Sequence, residues 1–393
     1  MNSAREELEG LLSESVASAR ARAASAFDEI AGDAPIVLFG AGGLGKRTAE
    51  GLAALGQPPI AFADNDPRRA GTTHAGVPVL STRDAIARYG KDAAFVAAVW
   101  RSPASERMSE RIDRLKEQGA ARVTSFATLG WKHPEQFLPY YAIDLPHRVL
   151  EAKEDVARAF EMLADEPSRR EYVAHLRLRL HLDFAGLPDP RSEPEYFAPD
   201  LYHLADDERF VDCGAFDGDT VRALLDLVPT FRGRVEAFEP DPATFARLER
   251  WRDELPAEVR QRIGVTRAGV GARRERVRFL DDGSTGSAIG PASATATGGS
   301  AGEIDVVPLD DAVLEMRPTL VKVDTEGYEL EVLEGARRLV STVGPKLALC
   351  VYHRQDHPWR IPLAVAALRD DYRYTLRSYC LDGWDLVLYA LPG

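Results

Sequence analysis

Apolar runs of strand length and stretches of helical period alternate along most of this chain. The opening, MNSAREELEGLLSESVASARARAASAF, places apolar and charged residues at roughly helical spacing and predicts one amphipathic surface helix over residues 1–30. A strand-like run, PIVLFG, then leads through a glycine turn into a helical segment and a second run, PIAFADND. Further strand patterns at Val77 to Leu80, Ala94 to Val99 and Arg122 to Phe126 alternate with helical ones, which predicts a small Rossmann-like α/β unit over residues 31–130. Residues 131–204 read as a helical connector broken by proline-rich turns (LPDPRSEPEYFAPD) and packed on the second domain.

From Arg209 the alternation resumes at larger scale. Strands are expected at Phe210 to Cys213, Val235 to Glu239, Gly264 to Arg267, Leu320 to Asp324 and Lys346 to Tyr352, with helices between most of them, as parallel crossovers require. Tyr374 to Tyr379 and Leu386 to Leu391 are separated by a short loop and predict an antiparallel pair. The fold class expected for residues 205–393 is therefore α/β, a mostly parallel sheet with an antiparallel last strand, the class I methyltransferase architecture. Between Asp281 and Gly302 the chain is low in complexity and polar, and reads as a surface loop or a lid.

At 393 residues the chain exceeds what one hydrophobic core usually organises, so two domains are expected. The formal charge of −13 repels a polyanionic backbone, which argues against a nucleic-acid partner. Cys213, Cys350 and Cys380 are odd in number and widely spaced, as expected of reduced thiols in a cytoplasmic protein. The opening has no long apolar core, so neither a signal peptide nor a membrane anchor is expected there. A homodimer is left open.

The densest chemistry lies in RFVDCGAFDGDT, Arg209 to Thr220, and VEAFEPD, Val235 to Asp241. A strand enters an Asp-x-Gly-x-x-x-Gly turn and a helix, and the next strand ends in a carboxylate. Gly214 and Gly218 permit a sharp turn and close approach of a ligand. Asp219 and Thr220 stand where a helix begins and its N–H groups are free. Glu239 is placed to accept both hydroxyls of a ribose. The spacing lacks the pyrophosphate cradle of a dinucleotide site, which favours a sulfonium nucleoside over NAD. Asp212 and Asp217 lie where an ammonium is to be paired, and helix capping is the plainer role for Asp217.

YFAPDLYHLADDERFVDCGAFDGDT, VEAFEPDP, LVKVDTEGYELEVLEGA and the C-terminal LALCVYHRQDHPWRIPLAVAAL with LRSYCLDGWDLVLYALP together resemble the FkbM-type family of S-adenosylmethionine-dependent methyltransferases, over about Pro194 to Gly393. The resemblance implies methyl transfer to a hydroxyl of a sugar, glycoconjugate precursor or secondary metabolite. It implies a cofactor site of Asp212, Gly214, Ala215, Phe216, Asp217, Gly218, Thr220, Glu239, Pro240 and Asp241, and it sets the end of the Leu320 strand beside the methyl group. Strand alternation puts Lys322 and Asp324 on one face, where the ammonium can hold the carboxylate ionised. Glu326 joins them in the catalytic set; in the plainer reading Glu326 and Glu329 are solvated in the next helix. His353, directly after an apolar strand and with an ordinary pKa near neutrality, is the favoured base for the acceptor proton. Asp324, His353 and Asp356 could hold magnesium, but no spacing demands a metal and none is expected.

The first unit carries its own G-x-G-x-x-G at Gly40, Gly42 and Gly45, with Asp64 ending the next strand. Together with DNDPRRAGTTHAGVPVLSTRDAI it resembles the N-terminal nucleotide-binding domains of polysaccharide-synthesis enzymes. That resemblance implies a site for a nucleotide or nucleotide-sugar, or a ligand-free scaffold. The alternative function for the whole chain is a nucleotide-dependent oxidoreductase or a nucleotide-sugar-binding protein.

Overall fold

A computed structural model describes residues 3–100, 105–280, 288–289 and 301–393. The chain forms two compact units. One comprises Met1–Glu154, Arg170–Pro190 and Cys380–Trp384; the other comprises Asp155–Arg169, Arg191–Tyr379 and Asp385–Gly393. The helical stretch expected as a connector is thus shared out between them.

The first unit is built on strands β1 (Ile36–Phe39), β2 (Ala61–Asp64), β3 (Thr73–His74), β4 (Val77–Ser81), β5 (Ala94–Ala97) and β6 (Arg122–Ser125), in the order β3-β4-β2-β1-β5-β6. All neighbours are parallel except β3 and β4. β1 and β5 are buried at every residue, which is why they read as continuous apolar runs: helices cover both faces of a parallel sheet. Leu38, Phe62, Val79, Val96 and Phe126 lie in its core. The opening segment forms two helices, Ala4–Leu12 and Val16–Ser25, rather than one, because Ser15 starts the second by accepting from the Ser18 amide.

The second unit holds a seven-stranded sheet ordered β16-β17-β15-β14-β7-β8-β9, comprising β7 (Arg209–Cys213), β8 (Arg234–Phe238), β9 (Ile263–Thr266), β14 (Leu320–Val323), β15 (Lys346–Cys350), β16 (Tyr372–Ser378) and β17 (Leu386–Pro392). β15 to β9 are parallel, and β17 runs antiparallel to both β15 and β16. β7 and β14 lie side by side in the middle of the sheet, in register from Phe210–Leu320 to Cys213–Val323, so the residues just beyond their ends meet.

A smaller sheet, ordered β10-β13-β11-β12, is formed by β10 (Gly269–Val270), β11 (Glu275–Leu280), β12 (Ala288–Ile289) and β13 (Ala301–Val307). Its strands are short or carry charges among their apolar residues, and they are not among the strands expected from the sequence. The low-complexity stretch from Asp281 to Gly302 lies mostly outside the described residues. Among the described residues no helix is long and apolar enough to cross a membrane, and Cys213, Cys350 and Cys380 are buried and not joined in disulfides.

Candidate active site

The turn after β7 is fixed by its neighbours before any ligand is considered. Gly214 and Ala215 donate their amides to Phe238 O at 3.0 and 2.9 Å, which ties the turn to the end of β8. Gly214 has φ +80°, and a Cβ there would stand 1.8 Å from Asp324 O. Gly218 has φ +92°, and its Cβ would meet the Trp251 ring at 2.6 Å. Both glycines are therefore required by the packing of the turn itself. The helix Asp219–Leu227 begins directly after Gly218 with no side-chain cap. Asp217 does not cap it, contrary to the plainer expectation, because its carboxylate accepts from Arg222 at 3.0 Å.

Glu239, just past β8, is 7% exposed. Its Oε2 accepts the Phe216 amide at 3.0 Å and its Oε1 the Asp241 amide at 2.8 Å, so the carboxylate bridges the turn and its own strand end. Burial pushes it up to about 7 despite those two bonds. Phe216, held at φ +47°, keeps an exposed ring with the Arg247 guanidinium over it.

Lys322 keeps the expected Asp324 within ion-pair range and adds a nearer partner. Its ammonium donates to Gly214 O at 2.6 Å and lies 3.0 Å from Asp212 Oδ1, while Asp324 Oδ2 is 3.9 Å away. Burial would lower its pKa, but Asp212 and then Asp324 raise it. Burial lifts Asp212 to about 6 against the pull of Lys322, so both groups are charged at neutral pH. With both side chains essentially inaccessible, Asp212 is committed to Lys322 rather than available to an ammonium. Asp324 accepts instead from the Tyr196 hydroxyl at 3.0 Å and remains 23% exposed.

His353 lies among carboxylates. Nδ1 is 2.8 Å from Glu329 Oε1, and Nε2 is 3.3 Å from Asp324 Oδ1 and 3.7 Å from Glu326 Oε2. Burial alone would favour the neutral ring; Glu329, Glu326 and Asp324 outweigh it and push the imidazole up to about 10. His353 is thus an imidazolium at neutral pH and has no lone pair with which to accept a proton, which overturns the expectation of a base with an ordinary pKa. Glu329, read as solvated, is fully buried: its Oε1 accepts from Thr325 N, Gly327 N and His353, and Oε2 lies 3.2 Å from His357. Asp356 pairs with Arg360 at 2.8 Å, and the carboxylate that joins Asp324 and His353 in a group compact enough for a metal is Glu329.

The Methyltransferase FkbM domain model matches residues 212–376, from the end of β7 into β16. The second unit contains this stretch similar to the FkbM methyltransferase domain. Methyltransferase FkbM from Methylobacillus flagellatus KT is similar in structure over 98% of this chain and 99% of its own, with a TM-score of 0.75 and 23% identity, which shows a shared class I methyltransferase fold. Precorrin-6y C5,15-methyltransferase from Geobacter metallireducens GS-15 aligns at a TM-score of 0.29 and 16% identity, over 48% of this chain and 82% of its own. No curated protein matches the sequence.

In the second unit the structure brings Asp212, Lys322, Asp324, Glu326 and His353 together and adds Tyr196 and Glu329. Glu195, beside Tyr196, is pushed well above the carboxylate range by burial and then by the charges of Asp385 and Asp324. Glu329 had a readable signal. It stands three and four residues before the buried Val332 and Leu333, on the inward face of its helix. Tyr196 and Glu195 lie in a proline-rich stretch with no periodicity to betray them.

In the first unit, Gly40 has φ +106° and a Cβ there would strike Val99 at 2.2 Å, while a Cβ on Gly45 would strike Gly40 O at 2.0 Å. At Gly42 the space is open. Asp64 accepts the Ala41 amide at 2.7 Å and the Asp66 amide at 2.8 Å.

Proposed function

We propose that the FkbM domain transfers a methyl group from S-adenosylmethionine to a hydroxyl of a sugar, glycoconjugate precursor or secondary metabolite, with Asp324 facing the acceptor. Asp324 carries the proposal: its Oδ1 is ion-paired with the His353 ring at 3.3 Å and its side chain remains 23% exposed, so the carboxylate keeps lone pairs for an incoming hydroxyl.

The donor set suits the cofactor. Glu239 retains lone pairs for a ribose diol beyond the two amides it holds, and the turn places the Phe216 ring and a helix start nearby, where the Thr220 amide already donates to Asp219 Oδ1 at 2.7 Å. Bound there, S-adenosylmethionine supplies a methyl carbon already activated by its sulfonium. Asp324 orients the acceptor hydroxyl and takes its proton at Oδ1 as the oxygen becomes nucleophilic. The His353 imidazolium and Tyr196 hydroxyl fix the carboxylate from two sides. Lys322 locks Asp212 and the carbonyl of Gly214, holding the turn against β14. The buried thiols, not joined in disulfides, fit a reducing compartment such as the cytoplasm.

Incubation of the protein with labelled S-adenosylmethionine and a panel of sugars and hydroxylated metabolites tests this reading, with calorimetry against S-adenosylhomocysteine and NAD. Binding of NAD without S-adenosylhomocysteine would favour the oxidoreductase alternative.

A further inference from the structure

We infer that the first unit holds a second nucleoside site, for a nucleoside mono- or diphosphate. The observation behind it is a repeated device. In the methyltransferase domain the carboxylate after the second strand, Glu239, takes one amide from the glycine turn 23 residues earlier (Phe216, 3.0 Å) and one from two residues later (Asp241, 2.8 Å). In the first unit Asp64 does the same, with Ala41, also 23 residues earlier, at 2.7 Å and Asp66, two residues later, at 2.8 Å. Each carboxylate keeps lone pairs for a diol. The ribose assignment for Asp64 therefore rests on the ribose reading of Glu239.

The charges around the two turns differ, and they select different ligands. At the turn after β7 the acids are already paired within the domain, Asp212 with Lys322 and Asp217 with Arg222. The turn after β1 is crossed by the Arg69 guanidinium, which donates to Ala41 O and lies 3.7 Å from Asp64. The twelve-residue helix Gly43–Ala54 starts there without a side-chain cap, so its first amides are free for an anion. Gly42 and Gly43 have no positive φ and nothing within 4 Å of an added Cβ. Neither backbone strain nor packing explains glycine at these two positions, and close approach of a phosphate does.

A cavity of about 330 Å³ opens over the turn, lined by Gly42, Gly43, Arg69, Thr72, His74 and Val79. The His74 Nε2 is buried and has no hydrogen-bond partner among the described residues. The volume lies at the low end of small-molecule clefts, which fits one nucleoside phosphate rather than a dinucleotide. Its lining joins the turn glycines and an arginine to the Val79 side chain and the His74 ring.

Calorimetry on the full chain with UDP, ADP, NAD and inorganic phosphate tests the inference, with S-adenosylhomocysteine as a control for the other site. UDP or ADP is expected to bind at least tenfold more tightly than phosphate or NAD. Gly42→Val, whose Cβ meets no protein atom within 4 Å, should weaken that binding at least tenfold and leave S-adenosylhomocysteine affinity unchanged; Arg69→Gln should weaken it too. Absence of nucleotide binding, NAD as the tightest ligand, or undiminished binding to Gly42→Val would overturn it. If Glu239→Ala leaves S-adenosylhomocysteine binding intact, the ribose parallel falls but the phosphate end is still judged by Gly42→Val.

Discussion

Glu329 Oε1 and His353 Nδ1 lie 2.8 Å apart with both side chains out of contact with solvent, and this buried ion pair fixes the ring whose other nitrogen faces Asp324. Removing one member of such a pair strands the other charge. Glu329→Gln is expected to destabilise the protein by about 3–5 kcal/mol, measured by denaturant unfolding.

The same pair sets a pH dependence. The histidine ordinarily titrates at 6.5 and is raised to about 10 in the folded protein, so the native state holds the proton more tightly than the unfolded chain. Its contribution to stability is complete below pH 6.5 and is lost as pH rises toward 10. Unfolding free energy should fall over that window in the wild type and fall less in His353→Gln, while NMR of the imidazole should show no titration near pH 7.

Asp324→Asn keeps the shape of the side chain and removes its basicity. Turnover should drop by roughly 10²–10⁴-fold, with S-adenosylhomocysteine affinity unchanged by calorimetry. Full activity in this variant would exclude Asp324 as the base.

Glu239→Ala should weaken S-adenosylhomocysteine binding by about 1.5–3 kcal/mol, the size of hydrogen bonds to a charged group. Because burial raises this carboxyl to about 7 and hydroxyl donors favour its ionised form, wild-type affinity should increase as pH climbs through 7. A flat profile between pH 6 and 8 would remove Glu239 from the cofactor site.

Dialysis against EDTA should leave turnover unchanged. Asp324, Glu329 and His353 are compact enough to hold an ion, but Glu329 Oε1 is already saturated by amides and the imidazolium. Loss of activity restored by magnesium or manganese would make them ligands instead.

The strands of both main sheets were legible because parallel strands covered on two faces must be apolar throughout, as in IVLF of β1 and LVKV of β14. Lys322 interrupts that second run, and its ammonium shows why: burial is tolerated only with Asp212 and Gly214 O beside it. The short strands of the smaller sheet were not legible, since ERVRFL carries three charges, two of them adjacent, and so breaks the alternation of a half-buried strand. Which residues gather at the site could be read from strand ends; their protonation could not. A histidine in sequence titrates near neutrality, and only the three carboxylates of one segment 24 to 29 residues earlier, Asp324, Glu326 and Glu329, keep it protonated at neutral pH.

The contact between Gly214 and the carbonyl of Asp324 leaves no room even for a methyl group. The loop that would grip the cofactor and the carboxylate that would meet the acceptor consequently share one rigid seam. A shift of that loop would press on the Asp324 backbone, so a change made at either position would be felt at the other.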